Sequence, residues 1–457
     1  MDLYAFIHYS LNTYTNQEWG YGNESPSLFN PSDLDCRQWA RVCRQAGMRG
    51  IIFTAKHHCG FCLWPSRHTD YSVRNSPWKQ GRGDVVRQLA DACREEGLEF
   101  AVYLSPWDRH HPDYGKPAYV TYFRNQLREL LTDYGPMFEV WFDGANGGNG
   151  WYGGADETRH IDPLTYYHWD ETFALVRHLQ PTLAIWSDTG RERGDIRWVG
   201  TEKGFVGLPN WNLLPAYGDI TNHMRQHGVP PLSPSPQPPL AWVPGEVDVS
   251  IRPGWFYHPS EDDKVKTPDE LIRIYYQSVG RGASLILNFP VMPNGRIHPT
   301  DSLRALQFGK ALSTTFLRDL ARRASLQASN VRGGSKQFSA RCAIDGNPST
   351  YWATDDSVRQ ATLTLTFKRP TAVNRFLVEE PIALGQRICR FSLHYWANGQ
   401  WHPLRDLYSE PDGSDLTTIG HRRILCFPTL TTRRLRFTVL DSRSCPLISR
   451  ISLYCAE

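Results

Sequence analysis

Apolar positions along the first 310 residues fall into two alternating kinds of stretch. Short apolar or β-branched runs of strand length occupy residues 3–9, 50–54, 99–104, 137–142, 183–186, 196–199, 247–251 and 284–288. Between several of them apolar residues recur at helical spacing. Asp33 is placed to cap a segment in which Leu34, Trp39, Val42, Cys43 and Ala46 share one face before Gly47. Asp84 opens the next, with Val85, Leu89, Ala92 and Cys93 inward and Gly97 as its stop. Residues 118–134, 164–180, 268–279 and 300–317 repeat the pattern. Eight strands with helices between most of them predict an α/β fold of the (β/α)₈ TIM-barrel class rather than a doubly wound sheet. The sixth and seventh helices are hard to see in the pattern. Residues 204–246 instead form a long stretch rich in proline, with Pro230-Pro231, Pro234, Pro236 and Pro238-Pro239, and read as an ordered excursion from the barrel.

After about residue 320 the periodicity changes to two. Segments 361–367, 374–378, 389–395, 423–427 and 435–439 alternate apolar and polar residues, are separated by turns and carry no helical pattern. They predict an all-β sandwich. The expected organisation is therefore a barrel over residues 1–317 and a β-sandwich over 318–457.

Composition narrows the function without naming it. The chain has 457 residues, 40% of them apolar and 21% charged, which is enough for a large core and excludes disorder as its main state. Its 50 Lys and Arg nearly balance 47 Asp and Glu, so nothing supports electrostatic capture of nucleic acid or of an anionic membrane. No run of 18 apolar residues suggests membrane insertion. Met1-Asp2-Leu3-Tyr4 shows neither a basic nor an apolar leader region, so no signal peptide is read in this chain. The excess lies in 16 Trp, 21 Tyr and 20 Phe, a set suited to flat, partly apolar ligands such as sugars and equally to a core. Ten cysteines are too few for a disulfide scaffold.

In such a barrel, chemistry collects at the C-terminal ends of the strands. There the chain places His8, Lys56-His57-His58, Tyr103 with Ser105 and Trp107, Trp141-Phe142-Asp143-Gly144, Asp188, Glu202, Arg252 with Trp255, and Asn288. Asp143 is either a turn residue bonding its own backbone or a carboxylate held against aromatic walls. Glu202 is either a solvated loop residue beside Lys203 or the partner of Asp143. Two carboxylates on one barrel rim suit glycoside hydrolysis. The run His57-His58-Cys59-Gly60-Phe61-Cys62 contains zinc-ligand types, but no second CxxC or HxxxH completes a motif, so no metal is expected. Gly81-Arg82-Gly83 and the glycines at 144–150 form neither GxGxxG nor a Walker loop, and no G-x-S-x-G elbow is present.

Several separate stretches, in order, resemble glycoside hydrolase family 29, the retaining α-L-fucosidases. They are Phe6-Ile7-His8-Tyr9-Ser10, Glu18-Trp19-Gly20, Ala55-Lys56-His57-His58-Cys59-Gly60-Phe61, Trp141-Phe142-Asp143-Gly144, Arg197-Trp198-Val199-Gly200-Thr201-Glu202, Arg252-Pro253-Gly254-Trp255-Phe256-Tyr257-His258 and Leu285-Ile286-Leu287-Asn288-Phe289-Pro290. The stretches at 197–202 and 252–258 resemble the subgroup preferring α-1,3- and α-1,4-linked fucose on branched acceptors. The resemblance implies Asp143 as nucleophile and Glu202 as general acid/base. It implies His8, Glu18, Trp19, His57, His58 and Tyr103 as fucose-pocket residues lined by Trp255, and Trp64, Trp141 and Arg252 join them as candidate substrate contacts. The family usually carries Asp where this chain has Cys59. Ala343-Ile344-Asp345-Gly346-Asn347-Pro348-Ser349-Thr350-Tyr351-Trp352-Ala353 resembles the discoidin-like (factor V/VIII type C) sandwich, a fold that either binds carbohydrate or only packs on the barrel.

The expected function is thus a retaining exo-α-L-fucosidase needing no cofactor, acting on a fucosylated glycan. A non-catalytic glycan-binding protein and a glycosidase for another sugar, such as an α-galactoside, are the alternatives. Glycan substrates, and the family's usual locations, lead to an extracytoplasmic expectation, periplasmic or secreted.

Overall fold

A computed structural model of the chain describes residues 3–187, 194–215, 240–408 and 416–456. All eight predicted runs are strands: β1 Leu3–His8, β2 Gly50–Lys56, β3 Glu99–Leu104, β4 Glu139–Phe142, β5 Ala184–Ser187, β6 Arg197–Trp198, β7 Gly245–Ser250 and β8 Ser284–Pro290. They form one parallel sheet in the order β5-β4-β3-β2-β1-β8-β7-β6. The gap between β5 and β6 is closed by a single parallel bridge, Trp186 to Ile196, so the sheet is a nearly closed barrel.

The strand period of two sorts each strand into two faces. On β1, Leu3, Ala5 and Ile7 join the layer between strands and helices, while Tyr4 and Phe6 point to the barrel axis with Ile52, Ala101, Tyr103, Trp141, Trp186 and Ile286. On β7, Val247 and Val249 face outward. The intervening Glu246, Asp248 and Ser250, one strand period apart, share the opposite, inward face, where Trp198 and Asn288 bond Asp248 and Ser250. An inward column of that polarity is abnormal for a packed core and marks the face that carries chemistry.

Helices Cys36–Gln45, Val85–Glu96, Pro117–Asp133 and Trp169–Leu179 follow β1 to β4, and Pro268–Gln277 and Pro299–Phe316 follow β7 and β8. The cap of the first is Asp35, whose side chain accepts from Gln38 N at 2.9 Å; the predicted cap, Asp33, instead pairs with Arg296. A capping side chain must reach the N–H groups of the first turn, and that turn starts two residues later than the pattern suggested. Asp84 caps the second helix as predicted, and Gly97 ends it at φ 71°. No helix lies among the described residues between β5 and β7. Asp188 and the prolines at 230–239 lie outside the described residues.

The sandwich is built on a sheet of Ser325–Ala328 (β9), Ala361–Glu379 (β10), Ile388–Ala397 (β11), Gln400–Pro403 (β12) and Arg423–Ser442 (β13), in the order β9-β10-β13-β11-β12, with Arg450–Tyr454 (β14) on β10. The predicted pairs of short segments, 361–367 with 374–378 and 423–427 with 435–439, are each one long strand. Register shifts between Thr366 and Thr371 and between Val373 and Arg375 replace the expected turns. Leu377, Ile424, Cys426 and Tyr454 of this domain belong to the same apolar cluster as the barrel's helix layer, so the two domains share a core.

Candidate active site

At the C-terminal mouth of the barrel the inward residues enclose a cavity of about 370 Å³. It is lined by Phe6, His8, Trp19, His57, His58, Tyr103, Trp107, Trp141, Asp143, Gly144, Asn146, Glu202, Asp248 and Trp255. Strand alternation places most of them: Phe6 and His8 on β1, Tyr103 on β3, Trp141 and then Asp143 at the end of β4, Asp248 on β7.

Asp143 is the best anchored of the carboxyls. Its Oδ2 accepts from Tyr103 Oη at 2.9 Å, and His58 Nε2 lies 3.9 Å from the same atom. Enclosure raises its pKa, and the hydrogen bonds from Tyr103 and the Gly144 N–H act against that rise. The side chain remains 38% exposed, open to the cavity. Gly144 has φ 82°, and a Cβ there would lie 2.3 Å from His58 Cε1, so the turn after the aspartate admits only glycine beside that histidine.

Burial favours the neutral form of all three histidines, and hydrogen-bond partners fix the tautomers of His8 and His58. Ser105 Oγ spends its proton on Trp107 O at 2.7 Å, so it accepts from His58 Nδ1 at 2.7 Å, leaving His58 Nε2 as an acceptor toward the cavity. Asn288 Nδ2 donates to Ser250 Oγ and Trp255 O, so its Oδ1 accepts from His8 Nδ1 at 2.7 Å and His8 Nε2 is likewise free to accept. Burial holds His8 and His58 to about 3, and burial with the neighbouring histidines also lowers His57.

Glu202 sits in a loop beyond β6 with φ 47° and opens onto the cavity. Its pKa is raised, first by partial enclosure and then by the charge of Asp143, against a hydrogen bond with Trp255. Aromatic rings form the walls. Trp141 stacks on Trp186 at 3.6 Å, and Trp255 lies over His8 with centroids 5.3 Å apart. Trp19 stands at the rim, 60% exposed, edge-on to His58 and Trp107.

Three candidate contacts are not among the residues that line the cavity. Glu18 accepts from the backbone of Trp255 at 2.8 Å and of Phe256 at 3.1 Å, and bonds His258 Nε2 at 2.6 Å; it braces the loop that carries Trp255. Trp64 is 1% exposed, its indole donating to Glu129 at 2.9 Å, because the chain after His58 turns back into the helix layer. Arg252 is fully buried in a fork with Asp301 at 2.7 and 2.8 Å and pairs with Asp262. Cys59 and Cys62 are buried thiols, and among the described residues no three His, Cys, Asp or Glu could hold a metal ion.

Phe6, Asn146 and Asp248 line the cavity without having been singled out. Asp248 matters most. Trp198 Nε1 donates to its Oδ1 at 3.0 Å, and burial, with the charges of Glu202 and Asp143, raises it to about 7. Its signal was present in the alternation of Glu246, Asp248 and Ser250, three polar residues of one parity in a strand whose other parity is valine and isoleucine.

Known proteins resemble the chain in sequence and in fold. The sequence model of the alpha-L-fucosidase family matches residues 2–315 and that of the F5/8 type C domain residues 325–451. Alpha-L-fucosidase 1 of Arabidopsis thaliana is 39% identical over 458 residues, covering 98% of this chain and 84% of its own. The crystal structure of a glycoside hydrolase 29 family member from an unknown rumen bacterium is 56% identical with a TM-score of 0.88, over 100% of this chain and 76% of that one. A Ruminococcus gnavus GH29 fucosidase solved with fucose is 29% identical with a TM-score of 0.84, over 100% and 93%. With three carboxyls, buried histidines and aromatic walls gathered at one barrel mouth, the chain belongs to the alpha-L-fucosidase family, glycoside hydrolase family 29, and is an enzyme with an F5/8 type C domain behind its barrel.

Proposed function

We propose that the enzyme is a retaining exo-α-L-fucosidase that releases α-1,3- and α-1,4-linked L-fucose from branched glycans. The observation that carries this reading is that Asp143 and Glu202 open into one cavity in different environments. Asp143, anchored by Tyr103, attacks the anomeric carbon and the glycosidic bond breaks, leaving a fucosyl–enzyme. Glu202, which keeps its proton above the ordinary glutamate range, gives it to the departing oxygen and then takes one from water. His8 and His58 present acceptor nitrogens to the sugar hydroxyls. Phe6, Trp141 and Trp255 offer an apolar wall to the C6 methyl; a hexose with CH₂OH there would bury an unpaired hydroxyl at a cost of about 1–3 kcal/mol.

Both carboxyls being present weighs against a binding protein without catalysis. The linkage preference rests on the stretches at 197–202 and 252–258. The extracytoplasmic location rests on the substrate class, and secretion in the native host tests it. The deciding experiment is fucose release from a Lewis-type trisaccharide beside an α-1,2-fucosylated one and 4-nitrophenyl fucoside. Selective release from the Lewis compound is expected; faster release from either other compound overturns the linkage assignment, and no release from any overturns the activity.

A further inference from the structure

The loop that carries Glu202 has few bonds of its own. Inside it, Thr201 N reaches Val199 O at 2.7 Å and Thr201 Oγ1 reaches Phe205 O at 3.3 Å, which shape a turn but do not place it. Between its ends it is held by Val206 N, which donates to Gln277 O at 3.0 Å, and by the hydrogen bond of Glu202 with Trp255; its two ends supply the rest of its placement. At the start, Arg197 Nη2 donates to Asn210 Oδ1 at 2.8 Å and to Asn212 Oδ1 at 2.7 Å, so one buried guanidinium staples the first residue of the loop's stem to the last. At the far end, the staple is gripped by the other domain. Gln386 Oε1 accepts from Asn212 N at 3.0 Å, Gln386 Nε2 donates to Asn210 O at 3.0 Å, and Thr418 Oγ1 accepts from Asn210 N at 3.1 Å. A parallel tie runs through Arg281, whose Nη1 donates to Val206 O at 2.7 Å and whose Nη2 donates to Tyr408 O at 2.5 Å. Gln386, Tyr408 and Thr418 all belong to the sandwich.

We propose that Gln386 and Thr418 of the sandwich are positioning residues for the reaction in the barrel, holding Glu202 over the cavity through the Asn210–Asn212–Arg197 staple. Backbone groups gripped in this way are buried, so removing the glutamine leaves a carbonyl and an N–H unpaired and frees the loop end to move toward water. Misplacement by about 1 Å can cost a catalytic step on the order of 10²-fold. The loss should fall on the steps that use Glu202, and in kcat/KM on proton donation, because Asp143 and the sugar-facing histidines stand on β1 to β4 and their loops, away from the staple.

This inference rests on Glu202 being the acid/base, and the test separates the two. Rates are compared for a fucosylated oligosaccharide, whose leaving group needs a proton, and α-L-fucosyl fluoride, whose leaving group does not. Glu202→Ala should lower kcat/KM for the oligosaccharide far more than for the fluoride; an equal fall in both overturns the acid/base reading itself. Given that split, Gln386→Leu is expected to reproduce it, with about a 10-fold or greater loss on the oligosaccharide and less than a 2-fold change on the fluoride. Thr418→Val should show a weaker split that Thr418→Ser restores, and it carries the test if Gln386→Leu does not fold. Equal losses on both substrates, or no loss on either, would leave the sandwich a packing partner only and overturn the proposal.

Discussion

Asp143 shows how little of a carboxyl's behaviour is its own. Enclosure raises its affinity for a proton, while Tyr103 and the Gly144 N–H keep its ionised form competitive. Asp143→Gly is expected to lower turnover on the order of 10³-fold or more, with partial recovery on adding azide, read by release of the leaving group because azide carries the sugar off as fucosyl azide. Cys59 stands where the family usually has Asp. The thiol is fully buried, pushed up to about 12 by burial and next by the charge of Glu24, whose carboxylate accepts from Gly22 N at 2.9 Å and Tyr71 Oη at 3.3 Å. A methyl on Gly20 would meet both Cys59 and Glu24, so the two side chains crowd one spot. Cys59→Asp therefore adds a buried carboxyl beside the half-buried carboxylate of Glu24. It should lower Tm, by about 1–3 kcal/mol of lost stability, without raising turnover; a Tm at or above that of the parent would sink this account.

At the scale of elements, β4 and β7 turn a column of acids toward the barrel axis. At the floor Glu139 and Glu246 lie against each other, burial raising Glu139 to about 8 and, with the charge of Glu139, raising Glu246 well above its usual range; Trp141 Nε1 donates to Glu139 at 2.8 Å. The pair must therefore hold a proton in the folded state that the unfolded chain gives up near pH 4.5. The sign follows directly: the folded state binds more protons between that pH and about 8, so stability is full below the unfolded value and falls as pH rises. Tm should drop on the order of 5 °C from pH 5 to pH 8, and Glu246→Gln should flatten the drop. A Glu246→Gln protein with the parent's slope would show that other groups carry the dependence. Element type was legible throughout, because strand and helix periods are local. Boundaries were not: the cap at Asp35 rather than Asp33 depends on which side chain reaches the first turn, and the long strands β10 and β13 absorb by register shift what looked like turns.

At the scale of the molecule, the barrel completes its core with residues of the sandwich. Leu377, Ile424, Cys426 and Tyr454 cover its helix layer, and Arg375 Nε donates to Tyr276 Oη at 2.9 Å across the junction. Residues 1–317 expressed alone should expose that surface and fail to show the cooperative unfolding of the full chain; a soluble fragment with the parent's Tm would refute this. The same scale explains which site residues could be named beforehand. His8, His57, His58, Tyr103, Trp141 and Asp143 end barrel strands, and strand period with barrel closure brings such residues to one rim. Glu18, Trp64 and Arg252 were candidates beside them but are drawn off to Trp255's loop, Glu129 and Asp301, partners that lie far away along the chain. Local patterning was enough to give the eight strands, most of the helices, the domain order and Asp143 at a strand end, since these depend on periodicity and on fixed positions along strands. It took the folded chain to show that Asp248 faces the same cavity, that Glu18 braces rather than lines it, and that the sandwich grips the base of the Glu202 loop. Those facts are set by which side chains meet across the fold, and no local pattern encodes that meeting.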